Sequence, residues 1–217
     1  MLDWNRVELG FERFLELMAK EKRLQAEFVA SRTDFFVAAS AARTAHAERR
    51  HLEWFLLERP SEVLGAIPAL AWQEPWRASL PEPAAEVASG FLESLPGAFE
   101  LSSLVPGEGL WVRDLFTQGE HPVAEARATA TLAVGDLLVG RLFPAGGGVY
   151  LLSPAVTVFR NPELLAAVRR DLEGMRRARR GVLRIQQLEL EHLFHSGALL
   201  EAPRATAADG RAQARAA

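Results

Sequence analysis

The stretch that decides the fold is FELSSLVPGEGLWVRDLFTQGE, residues 99–120. Two runs rich in aliphatic and aromatic residues, 99–105 and 110–117, are separated by the turn sequence Pro106-Gly107-Glu108-Gly109 and followed by Gln118-Gly119-Glu120. Short apolar runs bounded by glycine and proline are typical of β-hairpins. The stretch therefore predicts antiparallel strands joined by tight turns.

Similar runs continue toward the C-terminus. They lie at 121–131, 136–143, 149–153 and 155–160, with turn sequences at 134–136 and 145–148. Within 123–130 every second residue is alanine, so another element can approach that side closely. Five or six short strands with tight turns predict a small antiparallel β barrel or sheet of the SH3-like type over 98–160.

The regions on either side of this β module carry helical signals. Apolar residues recur at three- and four-residue spacing over 1–59, which predicts an N-terminal helical hairpin. Its predicted break is Ser31-Arg32-Thr33-Asp34, where a hydroxyl can cap a new helix. The chain from 60 to 97 contains six prolines, which favour a connector of short helical pieces, one of them at 84–95.

The C-terminal region begins with a clear helix start. Asn161 can cap, Pro162 suits the first helical position and Glu163 complements the helix dipole. Two helices are predicted over 161–201, the second at about 183–200, and the alanine-rich tail 202–217 is predicted to be disordered. The fold class expected from these elements is α+β.

Composition excludes several classes of protein. The 217 residues include no cysteine, so disulfide frameworks, thiol nucleophiles and cysteine-bound metal centres are excluded. The net charge of −3 argues against a protein that is basic throughout, as dedicated polyanion binders usually are. The N-terminus lacks the pattern of a secretory signal, and no apolar run is long enough for a membrane span. We therefore expect a cytoplasmic protein that binds no membrane.

The strongest charge feature is a group of arginines near the C-terminus. Residues 160–184 contain eight basic and three acidic residues, whereas 61–159 contain four and eleven. This predicts a binding helix for nucleic-acid phosphates, or for an acidic surface such as the β module of the same or another copy. A solvated helix end is the third interpretation. The candidate binding residues are Arg169, Arg170, Arg176, Arg177, Arg179, Arg180 and Arg184.

A second candidate site is a metal centre. The sequence contains two Glu-x-x-His pairs, Glu48 with His51 and Glu189 with His192. Residues three apart share a helix face, and paired Glu-x-x-His motifs on facing helices hold the two metal ions of ferritin-like carboxylate proteins. These four residues define the alternative function, a metal-dependent enzyme.

Three stretches carry a resemblance to a known group of proteins. HLEWFL at 51–56, GLWVRDLFT at 109–117 and GDLLVGRL at 135–142 resemble uncharacterised bacterial proteins related to those with a SEC-C motif, the zinc motif of the SecA C-terminal tail. The resemblance implies a helical front and a small β module. It implies no metal role for this chain, because the chain has no cysteine to form the zinc motif.

Together these patterns favour a non-enzymatic cytoplasmic interaction protein. No set of catalytic residues converges in the sequence, and no cofactor is expected. The arginine-rich helix 169–184 is the predicted contact surface, and its expected partners are a second copy of the chain, nucleic acid or an acidic protein surface.

Overall fold

The computed structural model describes residues 4–39, 44–78, 90–125, 131–179 and 183–193. Its first helices are α1 Trp4–Lys20, α2 Lys22–Ala39, α3 Ala45–Leu57, α4 Pro68–Ala71 and α5 Gln73–Ala78. The strands are β1 Leu95–Val105, β2 Gly109–Asp114, β3 Glu120–Val123, β4 Leu137–Pro144, β5 Tyr150–Leu152 and β6 Thr157–Phe159. The C-terminal helices are α6 Pro162–Arg179 and α7, residues 187–193. This order confirms the predicted α+β class.

Five of the strands close into a small barrel. The order is β1-β2-β3-β5-β4, and β4 pairs again with β1, while β6 adds to the free part of β4. The long strand β1 makes this closure possible, because its first half pairs with β4 and its second half with β2. A bulge between Leu101 and Ser103 bends the strand between these partners. The predicted small barrel over 98–160 is therefore confirmed.

One pairing differs from the prediction of an antiparallel barrel. β3 and β5 are parallel, and only Val123 and Tyr150 pair across this seam. The seam is short because β3 has four residues and β5 has three. The barrel is therefore mixed, with one weak parallel joint among antiparallel pairs.

The apolar side chains form three clusters. The buried side chains of the barrel interior come from four strands, as alternation along each strand requires: Phe99, Leu101, Leu110, Val112, Val123, Leu138 and Leu142. On the outside, α1 to α5 pack against Phe143 and Leu151, whereas α6 and α7 cover Val139 and Phe159. Two sides of the barrel are thus covered by helices.

The helical N-terminal region is present, but its division differs from the prediction. There are three helices instead of two, with breaks at Glu21 and between Ala39 and Ala45. The predicted break at Ser31-Arg32-Thr33-Asp34 lies inside α2. The Ser31 hydroxyl donates to the Phe28 carbonyl one turn earlier, so it is satisfied without ending the helix. The capping residue is Thr44, which accepts from the Ala47 amide at the start of α3.

The remaining boundaries are close to those predicted. α6 begins at Pro162, and the Asn161 side chain accepts the Glu163 amide as a cap. The last helix begins at residue 187 instead of 183. Of the predicted helix 84–95, residues 90–94 form a turn and Leu95 already belongs to β1, while 84–89 lie outside the described residues. The tail 202–217 also lies outside them.

Candidate functional site

The outer surface of β2 carries the largest exposed aromatic side chain in the described part of the chain. Trp111 is 42% exposed, although tryptophan is usually well buried. Arg113 lies two residues further along the same strand, so both side chains point outward. This part of the barrel surface is open to solvent.

Two cross-strand rows build this surface. In the first row, Trp111 is paired with Ser103 of β1 and Pro122 of β3. In the second row, Arg113 is paired with Glu100 and Glu120. Directly paired residues on one face of a sheet lie within about 5.5 Å, so the rows form a continuous patch with an apolar band beside a charged one.

Helix α6 extends the charged row. Arg169 forms an ion pair of 2.5 Å with Glu100. Arg176 donates to the backbone carbonyls of Leu115 and Phe116, just beyond the end of β2. A cleft of about 300 Å³ separates the helix from the strands, and it is lined by Glu100, Arg113, Leu115, Gln118, Arg169, Leu172, Glu173 and Arg176. We name the combined surface the β2 face: Glu100, Trp111, Arg113, Glu120 and Pro122 of the barrel with Arg169 and Arg176 of α6.

The arginines of the β2 face are held in place by neighbouring acceptors. Arg113 donates to Glu120 over 3.0 Å, and both side chains are 47% exposed. Arg169 is 48% exposed on its ion pair with Glu100. These contacts hold the side chains in one orientation but leave much of each guanidinium accessible. The face therefore presents fixed charges of both signs.

The structure divides the predicted arginine cluster between two sides of α6. Arg169 and Arg176 contact the barrel, whereas Arg170 and Arg177, one residue further along the helix, are exposed. Arg177 forms an ion pair of 3.2 Å with Glu173 on the same helix. Arg184 is exposed after the helix. The side chain of Arg179 and all of Arg180 lie outside the described residues.

The first pair of predicted metal ligands has other contacts. Glu48 accepts from Arg32 over 2.6 Å. His51 is fully buried among aromatic rings, and its Nε2 lies 2.9 Å from the Ser31 hydroxyl. Burial, with Arg32 and Arg59 nearby, lowers the pKa of His51 to about 4. The rings around it are Phe28, Phe35, Phe36 and Trp54.

The second predicted pair lies at the C-terminal end of the described chain. Glu189 accepts the Gln186 amide, which stabilises the start of α7, and His192 is exposed. Among the described residues, which include all four predicted ligands, no group of three His, Asp or Glu side chains is arranged to hold a metal ion. The metal-site hypothesis gains no support from this geometry.

A buried ionic network was missed by sequence reasoning. Arg141 of β4 is 2% exposed, and its guanidinium reaches Glu58 and Glu53 at the end of α3. The Ser153 hydroxyl donates to Glu53 over 2.5 Å. Burial raises the pKa of Glu53, although Arg141 and Arg49 act against the rise. One signal was available: Arg141 is a single charge inside the otherwise apolar strand Leu137–Pro144, which indicates a buried charge with a partner.

A second buried pair attaches α7 to α3. Arg50 donates to both oxygens of Glu191, over 2.9 and 3.0 Å, and both side chains are almost fully buried. The Gln187 side chain donates to Glu191, and its backbone amide donates to Glu58. The two networks therefore meet at Gln187. Their role is to join the helices to the barrel, since every charge in them already has a protein partner.

Comparisons with known proteins add no family assignment. None of the family models, curated proteins or solved structures matches the chain. Within the described residues, no helix combines the length and apolar character that a membrane crossing requires. The resemblance to SEC-C-related proteins therefore remains an expectation based on the three stretches given above.

Proposed function

We propose that the chain is a non-enzymatic interaction protein of the cytoplasm that binds a protein partner through the β2 face. The observation that carries this proposal is the exposed Trp111 beside Arg113 and Arg169. Tryptophan and arginine are the residue types most enriched at the energetic centres of protein interfaces. A surface that exposes both, on rigid elements, is suited to binding.

The charge of this surface favours a protein over nucleic acid. Glu120 and Glu100 lie beside Arg113 and Arg169, and Glu173 lines the same cleft. Nucleic-acid affinity depends on cations that contact phosphates, and carboxylates beside them repel the same phosphates. A protein surface can present both signs of charge, so it can complement both.

The titration behaviour of the interior supports a non-enzymatic role. In the described residues, the clearly displaced pKa values belong to Glu27, His51 and Glu53. Burial raises the pKa of Glu27, but hydrogen bonds from Ser61, Arg59 and two backbone amides outweigh it and lower the value. Displaced pKa values often mark catalytic sites. Here each of these groups connects helices or loops of the fold.

Site-specific photocrosslinking in cells tests the proposal. A photoreactive phenylalanine derivative replaces Trp111 in one variant and Leu70, a 53% exposed residue of α4, in the control. We expect a protein adduct at position 111 that the control does not form. The additional change Arg169→Glu should reduce the adduct, since the arginine belongs to the same face.

The same experiment distinguishes nucleic acid from protein. Treatment with nuclease before electrophoresis should leave the mobility of the adduct unchanged. A nuclease-sensitive adduct at position 111, together with binding of single strands that weakens steeply with salt, would replace the protein proposal by a nucleic-acid one. Equal adducts at 111 and 70 would exclude the β2 face as the binding site.

A further inference from the structure

We infer that the partner of the β2 face is a second copy of this chain, bound through the same face around a twofold axis. The inference rests on the proposed function, because it names the occupant of the surface proposed there. In a twofold contact, residue i of one copy contacts residue j of the other, and j contacts i. Such a face must be complementary to itself.

The charges of the β2 face meet this requirement. Arg113 is paired with Glu120 and Arg169 with Glu100, whereas Arg176 is half-buried and donates to backbone carbonyls. A twofold axis that runs between Arg113 and Glu120, parallel to β2 and β3, places Arg113 of each copy opposite Glu120 of the other. A partner with a strong negative charge would instead require an unbalanced excess of arginine, and the carboxylates beside these arginines oppose it. Charge balance therefore favours a second copy over an acidic protein.

The apolar row supplies the centre of the contact. Trp111 is paired with Pro122 in the sheet, and Val105 at the end of β1 is 41% exposed beside this row. The same axis passes between Trp111 and Pro122, so it places Trp111 of each copy opposite Pro122 of the other. Burial of a tryptophan at an interface centre, with charged pairs around it, is the arrangement that contributes most binding energy.

The face is also prepared for binding. Arg113 and Arg169 are already fixed by intramolecular ion pairs, and Trp111 lies in the middle of a paired strand. Less side-chain entropy is therefore lost when the second copy binds. The charged pair also allows a direct test, because a copy with its charge reversed at position 113 can be mixed with a copy reversed at position 120.

Sedimentation velocity of the purified full-length chain at 1 to 100 µM, about the range where weak dimers dissociate, provides the first measurement. We expect a reversible dimer. Trp111→Ala should raise the dissociation constant at least about tenfold, as expected for a hot-spot residue. Leu70→Ala, which removes an exposed apolar side chain from α4, should leave the constant unchanged.

Charge exchange then tests the self-complementary geometry. Arg113→Glu leaves two acidic side chains at positions 113 and 120, and Glu120→Arg leaves two basic ones. Like charges then face each other between two copies of the same variant, so neither variant should dimerise with itself. A mixture of the two should form a heterodimer, since acidic and basic faces then meet. Circular dichroism and thermal unfolding check the fold of each variant, and both side chains are half exposed, so little stability should be lost.

The outcomes separate the two proposals. A wild-type chain that stays monomeric at 100 µM, or a dimer unchanged by Trp111→Ala and by both charge variants, would overturn the inference. A protein adduct at position 111 with a different polypeptide would then still support the proposed function. If no adduct forms at position 111 and the chain is monomeric, both the proposed function and the inferred dimer are overturned.

Discussion

His51 is a polar side chain placed in the aromatic part of the helical core. The Ser31 hydroxyl donates to the Phe28 carbonyl, so its oxygen accepts from His51 Nε2, which fixes the neutral form with the proton on that nitrogen. Its Nδ1 is buried and has no hydrogen-bond partner among the described residues. Protonation would place a charge in this buried aromatic site, where Arg32 and Arg59 also oppose it.

Stability should therefore fall as the pH is lowered through the range from 6.5 to 4. The unfolded chain binds a proton at His51 near pH 6.5, whereas the folded chain binds it only near pH 4, since burial lowers the pKa. Between these two pH values the unfolded state binds more protons than the folded state. The free energy of unfolding should therefore be lower by about 3 kcal/mol at pH 4 than at pH 6.5. Urea denaturation at several pH values measures this loss.

The histidine responsible can be identified by substitution. His51→Phe keeps an aromatic ring but removes the titration, so it should flatten the pH dependence of the free energy of unfolding between pH 4 and 6.5. His46→Phe, at an exposed position of the same helix, should leave that dependence unchanged. An unchanged slope in His51→Phe would show that other groups cause the loss.

Gly140 occupies a position in β4 that a side chain cannot share. Its φ is 155°, and an added Cβ would lie 2.9 Å from the backbone Cα of Val156. Gly140→Ala should therefore reduce the free energy of unfolding by about 2 to 4 kcal/mol, because backbone must move. Gly174→Ala in α6 meets no atom within 4 Å and should stabilise by about 0.5 to 1 kcal/mol. Equal effects of the two changes in urea denaturation would contradict this account.

At the scale of elements, local signals predicted the strands and the start of α6. Turn residues and alternation located five of the six strands to within a few residues, and Asn161 with Pro162 marked the helix start. The predicted run 121–131 corresponds to β3, which ends at Val123. The break assigned to 31–34 was wrong because the Ser31 hydroxyl donates to the Phe28 carbonyl within the helix and accepts from His51. A residue that can cap a helix marks its end only when its side chain has no other hydrogen-bond partner. Whether such a partner exists depends on the tertiary structure.

The candidate site was predictable only in part. The arginines of α6 stood out in the sequence, and two of them, Arg169 and Arg176, belong to the β2 face. Trp111 could not be recognised as an exposed residue from the sequence. Alternation shows that it lies on the same side of β2 as Arg113, but it does not show which sides of the barrel the helices cover. That depends on contacts between distant segments, such as Phe159 with α6.

A buried ion pair contributes to the attachment of α7. Arg50→Met or Glu191→Leu alone should cost about 3 to 5 kcal/mol of unfolding free energy, because each removes one member of a buried ion pair. The double variant should cost clearly less than the sum of the two. Urea denaturation gives all values of this double-mutant cycle. The exposed pair of Arg13 and Glu16 is the control, with an expected coupling below about 1 kcal/mol.

At the scale of the whole molecule, Arg141 joins the barrel to the helices. It extends from β4 to Glu53 and Glu58 at the C-terminal end of α3, and Glu58 in turn accepts the Gln187 amide at the start of α7. The three parts of the chain therefore share one set of buried charges. Buried charges tolerate the loss of a partner poorly, so the parts should depend on one another for stability.

Arg141→Met tests this dependence, and its effect should vary with pH. At pH 7 we expect a loss of about 3 kcal/mol, because Glu53 then stays buried with Arg49 but without Arg141. The pKa of Glu53 is already raised by burial and should rise further without Arg141. A carboxyl with a raised pKa in the folded state binds its proton more tightly there than in the unfolded chain. Lowering the pH toward 5 should therefore reduce the difference in stability between Arg141→Met and the wild type at the same pH.

Two further variants isolate the cause. Glu53→Gln combined with Arg141→Met should recover part of the loss at pH 7 and abolish the extra pH dependence, because the buried group can no longer ionise. Arg177→Met, at a side chain that is 80% exposed, should change stability by less than about 0.5 kcal/mol. Urea denaturation monitored by tryptophan fluorescence and by circular dichroism measures each free energy. A loss in Arg141→Met that is the same at pH 5 and pH 7 would mean that packing of the arginine stem, and not the buried carboxylate, joins the barrel to the helices.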